Sequence, residues 1–168
     1  MGATESRKSP PSALRELIAG NTALSSETGA ALPSETSFIV ADGLSESHIS
    51  LVIQSDDQFR SAIRALERDA ATDADAQFIS KHYRLSAEAA LDGMGRIAAL
   101  SCGYVLCIGE VWLQGEQAYQ RWDAEFGALG SSTPVYSMSE MSVPSSSKER
   151  IVRFVASIDS DKNALSTE

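Results

Sequence analysis

The apolar positions of this chain change period along its length, and the change marks where helices give way to strands. Leu14, Leu17 and Ile18 share one helical face, with Ser9 as N-cap, Pro10 at the first helical position and Gly20-Asn21 as the stop. Thr22 to Thr36 is rich in Ser, Thr, Ala and Gly and reads as a loop. Phe38-Ile39-Val40 before Asp42-Gly43 reads as a short strand and turn, and Ile49, Leu51 and Ile53 alternate with polar neighbours as a second strand. Ser55 and Gln58 have capping-box spacing, and the helix they open buries Phe59, Ile63 and Leu66. A helix over 74–84 follows. Another, capped by Ser86, carries Ala87, Ala90, Leu91, Met94, Ile97 and Ala98 on one face. Gly93 and Gly95 inside that period each cost about 1 kcal/mol relative to alanine, which points to a close approach of another backbone.

Beyond Cys102 the period falls to two. Tyr104–Leu113, Val135–Val143 and Arg150–Ile158 read as strands. The first is apolar on both faces, as a central strand covered on two sides must be. Between them, Tyr119, Trp122, Phe126 and Leu129 are helically spaced within Gly115–Gly130. The expected fold is α+β: an antiparallel sheet of four to five strands packed against three to four helices. Residues 9–159 form one domain in this reading, with 1–8 and 160–168 as disordered ends.

Glu110-Val111-Trp112 on a strand, then a loop, then Pro144 with serines, the charged Lys148-Glu149-Arg150 and a β-rich strand resemble small uncharacterised α+β proteins of phages and bacteria. The resemblance covers the C-terminal third of the chain and departs at Arg150, where an acid is expected. It implies the sheet and carries no activity.

Composition narrows the function classes. With 168 residues the chain can bury a core without staples, and its net charge of −9 is shared by both halves. That charge disfavours nonspecific nucleic-acid binding, which depends on neutralising phosphates. No apolar run approaches the roughly 20 residues of a membrane span, no secretory h-region is present, and the default address is the cytosol. Met1-Gly2-Ala3-Thr4-Glu5-Ser6 fits the myristoylation pattern, although one acyl chain anchors only marginally. Cys102 and Cys107 would point to opposite faces of one strand, about 16 Å apart, so both are expected to be reduced and buried. His48 and His82 are isolated in sequence; no metal and no cofactor is expected.

Few positions carry candidate chemistry. Glu110 lies between Ile108 and Trp112 on an apolar strand face, where a carboxylate must be paired, protonated or at a rim. It is the candidate acid/base, with Tyr104, Arg150, Cys107 or a histidine as helper, or else the partner of Arg150 or Arg153 in an ion pair. Trp112, Tyr119 and Trp122 could frame a binding surface or pack in the core. Arg60, Arg64 and Arg68 make a basic stripe that fits an anion, or a solvated helix face paired with Asp56, Asp57 and Glu67. The leading expectation is a non-enzymatic module that binds a protein partner or itself as a homo-oligomer. The alternatives are a small enzyme using Glu110 and an anion sensor using the arginines.

Overall fold

The two-faced apolar run from Leu106 to Leu113 is an interior strand of the larger sheet, with a strand on each side. A computed structural model describes residues 31–41 and 43–167. The helix expected at Ser9–Ile18 and the acylation pattern at Gly2 lie outside the described residues. The elements run in the order 3-10 helix Pro33–Phe38, β1 Ile39–Val40, β2 Gly43–Ser45, α1 Glu46–Gln54, α2 Asp56–Ala71 and α3 Ala74–Leu91. Then come β3 Gly95–Cys102, β4 Leu106–Leu113, α4 Glu116–Glu125, β5 Ser137–Val143, β6 Arg150–Ser157 and β7 Leu165–Ser166. Among the described residues this is an α+β fold with five helices, the 3-10 turn included, and two open sheets.

The larger sheet has strand order β3-β4-β6-β5 and is antiparallel throughout. β4 therefore has a strand on each side. Its faces are covered by different helices, as neighbouring residues of β6 show. Arg153 reaches Asp56 and lies over the Phe59 ring of α2, whereas Phe154 meets Trp122 of α4 and Phe126 just beyond its end. The smaller sheet, β1-β2-β7, joins an antiparallel pair to a parallel one.

Four expectations need correction. Residues 46–54 form a helix, because Ser45 caps it by accepting the His48 N–H, and Ile49, Val52 and Ile53 then share the buried face. Leu51, which alternation would have placed inside, is 52% exposed. The two helices expected over 74–98 are one helix that ends at Leu91, followed by strand β3. Asp92 and Gly93 take left-handed backbone (φ 49° and 76°), which stops the helix. A Cβ on Gly95 would stand 2.4 Å from the Trp112 carbonyl oxygen, so the close approach read from the glycines exists, between two strands. Residues 160–167 do not form a featureless tail, since Leu165–Ser166 pairs with β2.

The fourth correction concerns the cysteines. Cys102 and Cys107 form a disulfide, with Cα atoms 4.0 Å apart. They lie on two strands, paired directly across the β3–β4 hairpin, rather than five apart on one strand. Ser80 of α3 occupies both backbone groups of Cys102, donating to its carbonyl at 2.9 Å and accepting its N–H at 2.8 Å. The cysteines are thus a non-hydrogen-bonded pair, the closest kind of antiparallel neighbours.

Candidate functional site

Both oxygens of the Glu110 carboxylate accept a hydrogen bond. Its Oε2 accepts from Arg153 Nε at 2.9 Å and its Oε1 from Trp112 Nε1 at 3.0 Å. Register explains this, because Glu110 on β4 stands directly across from Arg153 on β6, and Trp112 follows two residues later on the same face. Arg153, 5% exposed, also donates to Asp56 at 2.5 Å from the N-terminal turn of α2. Burial works against its charge, but its hydrogen bonds to Glu110 and Asp56 hold the guanidinium above its ordinary value. The bond to Arg153 holds the Asp56 carboxyl below the usual range. Arg96 extends the chain of contacts, with its guanidinium 4.1 Å from the Trp112 ring.

This network ties α2 to the sheet. It places none of the expected catalytic helpers beside Glu110. Arg150 bonds Glu116 at 3.1 Å and lies 3.6 Å from the Tyr119 ring centroid, Cys107 is in the disulfide, and the Tyr104 hydroxyl donates to Asp73. His82 Nδ1 lies 3.1 Å from the Phe78 carbonyl oxygen, and its ring packs on Phe78.

The three aromatic candidates do not come together. Trp112 lies on the Glu110 face. Trp122 is fully buried on the other, stacked on Phe126 at 4.3 Å as a core residue. Tyr119 is half-buried beside it and donates to Glu140, a bond that with burial pushes its hydroxyl up to about 12. Arg60, Arg64 and Arg68 are all exposed, and no carboxylate of the described residues comes within ion-pairing distance of them. Asp56, the acid expected to serve the stripe, is instead drawn to Arg153.

Two features were not legible from the sequence. Glu35, in the serine-rich stretch read as a loop, is completely buried and accepts four backbone N–H groups. These come from Leu32 (2.8 Å), Tyr104 (3.1 Å), Val105 (2.8 Å) and Leu106 (2.9 Å). Burial pushes its carboxyl upward, against the pull of the four donors. Gly103 leaves the space, since a Cβ there would fall 2.3 Å from the Glu35 carboxyl carbon. No local signal in a polar loop could have announced this long-range contact. The second feature is a cleft between the 3-10 helix, α1 and α2 that holds His48. The helix-turn-helix packing of α1 and α2 creates it, and the strand expected at 49–53 concealed it.

The outer edges of the large sheet differ. The C-terminal half of β3 is covered by α3, where Ser80 serves Cys102 and Arg84 donates to the Leu100 carbonyl at 3.3 Å. Among the described residues nothing hydrogen-bonds to the outward backbone of β5. No helix of the described residues is long and apolar enough to cross a membrane, and no group of three or more metal-ligating side chains gathers among them. Comparison with protein-family models, curated proteins and solved structures yields no match.

Proposed function

We propose that this chain is a non-enzymatic protein-binding module that self-associates by pairing the open edge of β5 with the same edge of a second copy. The contrast between the two sheet edges carries this reading. In the C-terminal half of β3, α3 side chains occupy the backbone groups of Cys102 and the carbonyl of Leu100. β5 offers seven residues, Ser-Met-Ser-Glu-Met-Ser-Val, with no lysine, proline or bulge to blunt pairing. Its one charged side chain, Glu140, is held by Tyr119. A two-fold antiparallel pairing closes after one addition, so it yields a dimer with an eight-stranded sheet rather than a filament. Like charges directly opposite one another are unfavourable, so the axis passes through Ser139 or Met141 rather than Glu140.

Size-exclusion chromatography with light scattering tests this. The wild type should elute at twice the chain mass and Ser139→Lys as a monomer with unchanged circular dichroism. A wild-type monomer at all concentrations, or a dimer indifferent to Ser139→Lys, removes the proposal. The disulfide favours an oxidising compartment. The cytosolic address expected from the sequence is therefore tested by trapping thiols in cells, where a cytosolic protein should yield reduced Cys102 and Cys107.

An anion sensor is the second reading, supported by the exposure of Arg60, Arg64 and Arg68, none of which has a carboxylate of the described residues within 4 Å. It requires phosphate binding that weakens with added salt and is lost on replacing the three arginines by glutamine. The enzyme reading draws less support, because each oxygen of the Glu110 carboxylate accepts a structural hydrogen bond, from Trp112 and Arg153.

A further inference from the structure

Side chains spaced four apart on α3 stand in for a neighbouring strand along the outer edge of β3. Ser80 bonds both backbone groups of Cys102, and Arg84 donates to the Leu100 carbonyl at 3.3 Å. Glu88, next in the series, bonds to no backbone group of β3 among the described residues, and α3 ends at Leu91. A recess of about 300 Å³ opens here. Arg84 and Glu88 of α3 and Gly95, Arg96 and Ile97 of β3 line it.

The ladder of β3 with β4 fixes what the strand presents to this recess. Bonded and non-bonded pairs alternate along antiparallel strands. The Gln114 N–H donates to the Met94 carbonyl at 2.9 Å, so Gly95 with Leu113 and Ile97 with Val111 are non-bonded pairs. The N–H and C=O groups of Gly95 and Ile97 therefore point away from β4, toward the recess. Among the described residues no backbone group bonds to them from that side. The register shifts between Ile97 and Ala99, and beyond it Arg84 closes the edge at Leu100.

This open edge is short and shut at one end, so a strand running past it would meet Arg84, whereas the end of a chain fits. Charge decides which end. Arg84 is half-buried at the closed end, and its one hydrogen bond to the described residues is the one to Leu100. Arg96 is exposed, with its guanidinium 4.1 Å from the Trp112 ring centroid and no hydrogen bond to the described residues. Guanidinium forks of this kind match a carboxylate and repel an ammonium group.

We propose that the recess binds the C-terminal end of an extended peptide. The peptide pairs in parallel with Gly95 and Ile97 and sets its terminal carboxylate on Arg84. β5 lies at the opposite edge of the sheet, so this site is independent of the dimer.

The probe is acetyl-Ala-Val-Leu, titrated into isotope-labelled full-length protein and followed by NMR. With a free carboxylate it should shift the amide signals of Gly95 and Ile97 saturably, with a dissociation constant on the order of 1 mM. The same peptide ending in a carboxamide should bind about tenfold more weakly, having lost its charge-assisted bonds. Ile97→Pro removes an outward N–H that β4 does not use and should abolish binding, read at Gly95. Arg84→Gln leaves the strand unaltered and should weaken binding about tenfold. Glu88→Gln removes a like charge from the wall and should strengthen it about threefold. Absence of shifts at Gly95 and Ile97, equal binding of carboxylate and carboxamide, acetate acting as well as the peptide, or full affinity in Ile97→Pro or Arg84→Gln would each overturn the proposal.

Discussion

Glu35→Ala removes the acceptor that joins the 3-10 segment to the tip of the β3–β4 hairpin. Four buried N–H groups, those of Leu32, Tyr104, Val105 and Leu106, lose their partner at once. Each buried donor left unsatisfied costs about 1–3 kcal/mol. Water entering the vacated polar space, and relief of the cost of burying a carboxyl, offset part of the loss. A net destabilisation of about 3–6 kcal/mol follows, a large share of the 5–15 kcal/mol typical of a domain. Urea unfolding followed by both far-ultraviolet circular dichroism and tryptophan fluorescence measures it. Gly103→Ala crowds the same carboxyl, so the double variant should fall short of the sum of the singles. The pH dependence supplies a second check. Because burial raises the Glu35 pKa above its ordinary 4.5, the folded state holds this proton more tightly than the unfolded chain. The group's contribution is then present at low pH and lost as pH rises through the folded pKa. The gap between wild type and Glu35→Ala should narrow correspondingly on going from pH 4 to neutrality. A loss below about 1 kcal/mol, or strict additivity with Gly103→Ala, would refute the role given to Glu35.

The remaining predictions concern charge, redox state and titration. Arg153→Met strands Glu110 beneath α2 and should cost about 3–5 kcal/mol in urea unfolding. Adding Glu110→Gln should recover a good part of that, and no recovery would show that the pair is not coupled. Without reductant, the native protein should show no thiol reactive to a colorimetric disulfide reagent. Cys102→Ser with Cys107→Ser should lose about 2 kcal/mol, the chain-entropy value for so short a loop. The folded pKa of His48 lies below its ordinary 6.5, so its contribution is present above that value and lost as pH falls through the folded pKa. The melting temperature should fall between pH 7 and 5, and His48→Phe should flatten that fall.

Where a residue's role is decided by neighbours within one turn of helix or one strand, the sequence was a good guide. Ser55 capping Gln58, the buried Phe59, Ile63 and Leu66, and the two-faced β4 all follow from local period and cap chemistry. The Glu110 ion pair was among the sequence's own alternatives, because a carboxylate on an apolar strand face must find a partner. Misreadings arose where two periods fit the same letters. Ile49, Leu51 and Ile53 alternate as a strand would, yet Ile49, Val52 and Ile53 also fit a helix, and only the packing of α1 on β5 and β6 chose between them.

The chain by itself determined an α+β body, a central strand shielded on both faces, and a net negative charge. These depend on composition and short-range period, which every residue carries with it. Tertiary structure alone decided the disulfide, the Glu35 cradle, the redirection of Asp56 from the arginine stripe to Arg153, and the cleft around His48. Each of these joins groups that become neighbours only when strands fix their register and helices dock. Such contacts depend on the three-dimensional path of the backbone, which no local spacing encodes.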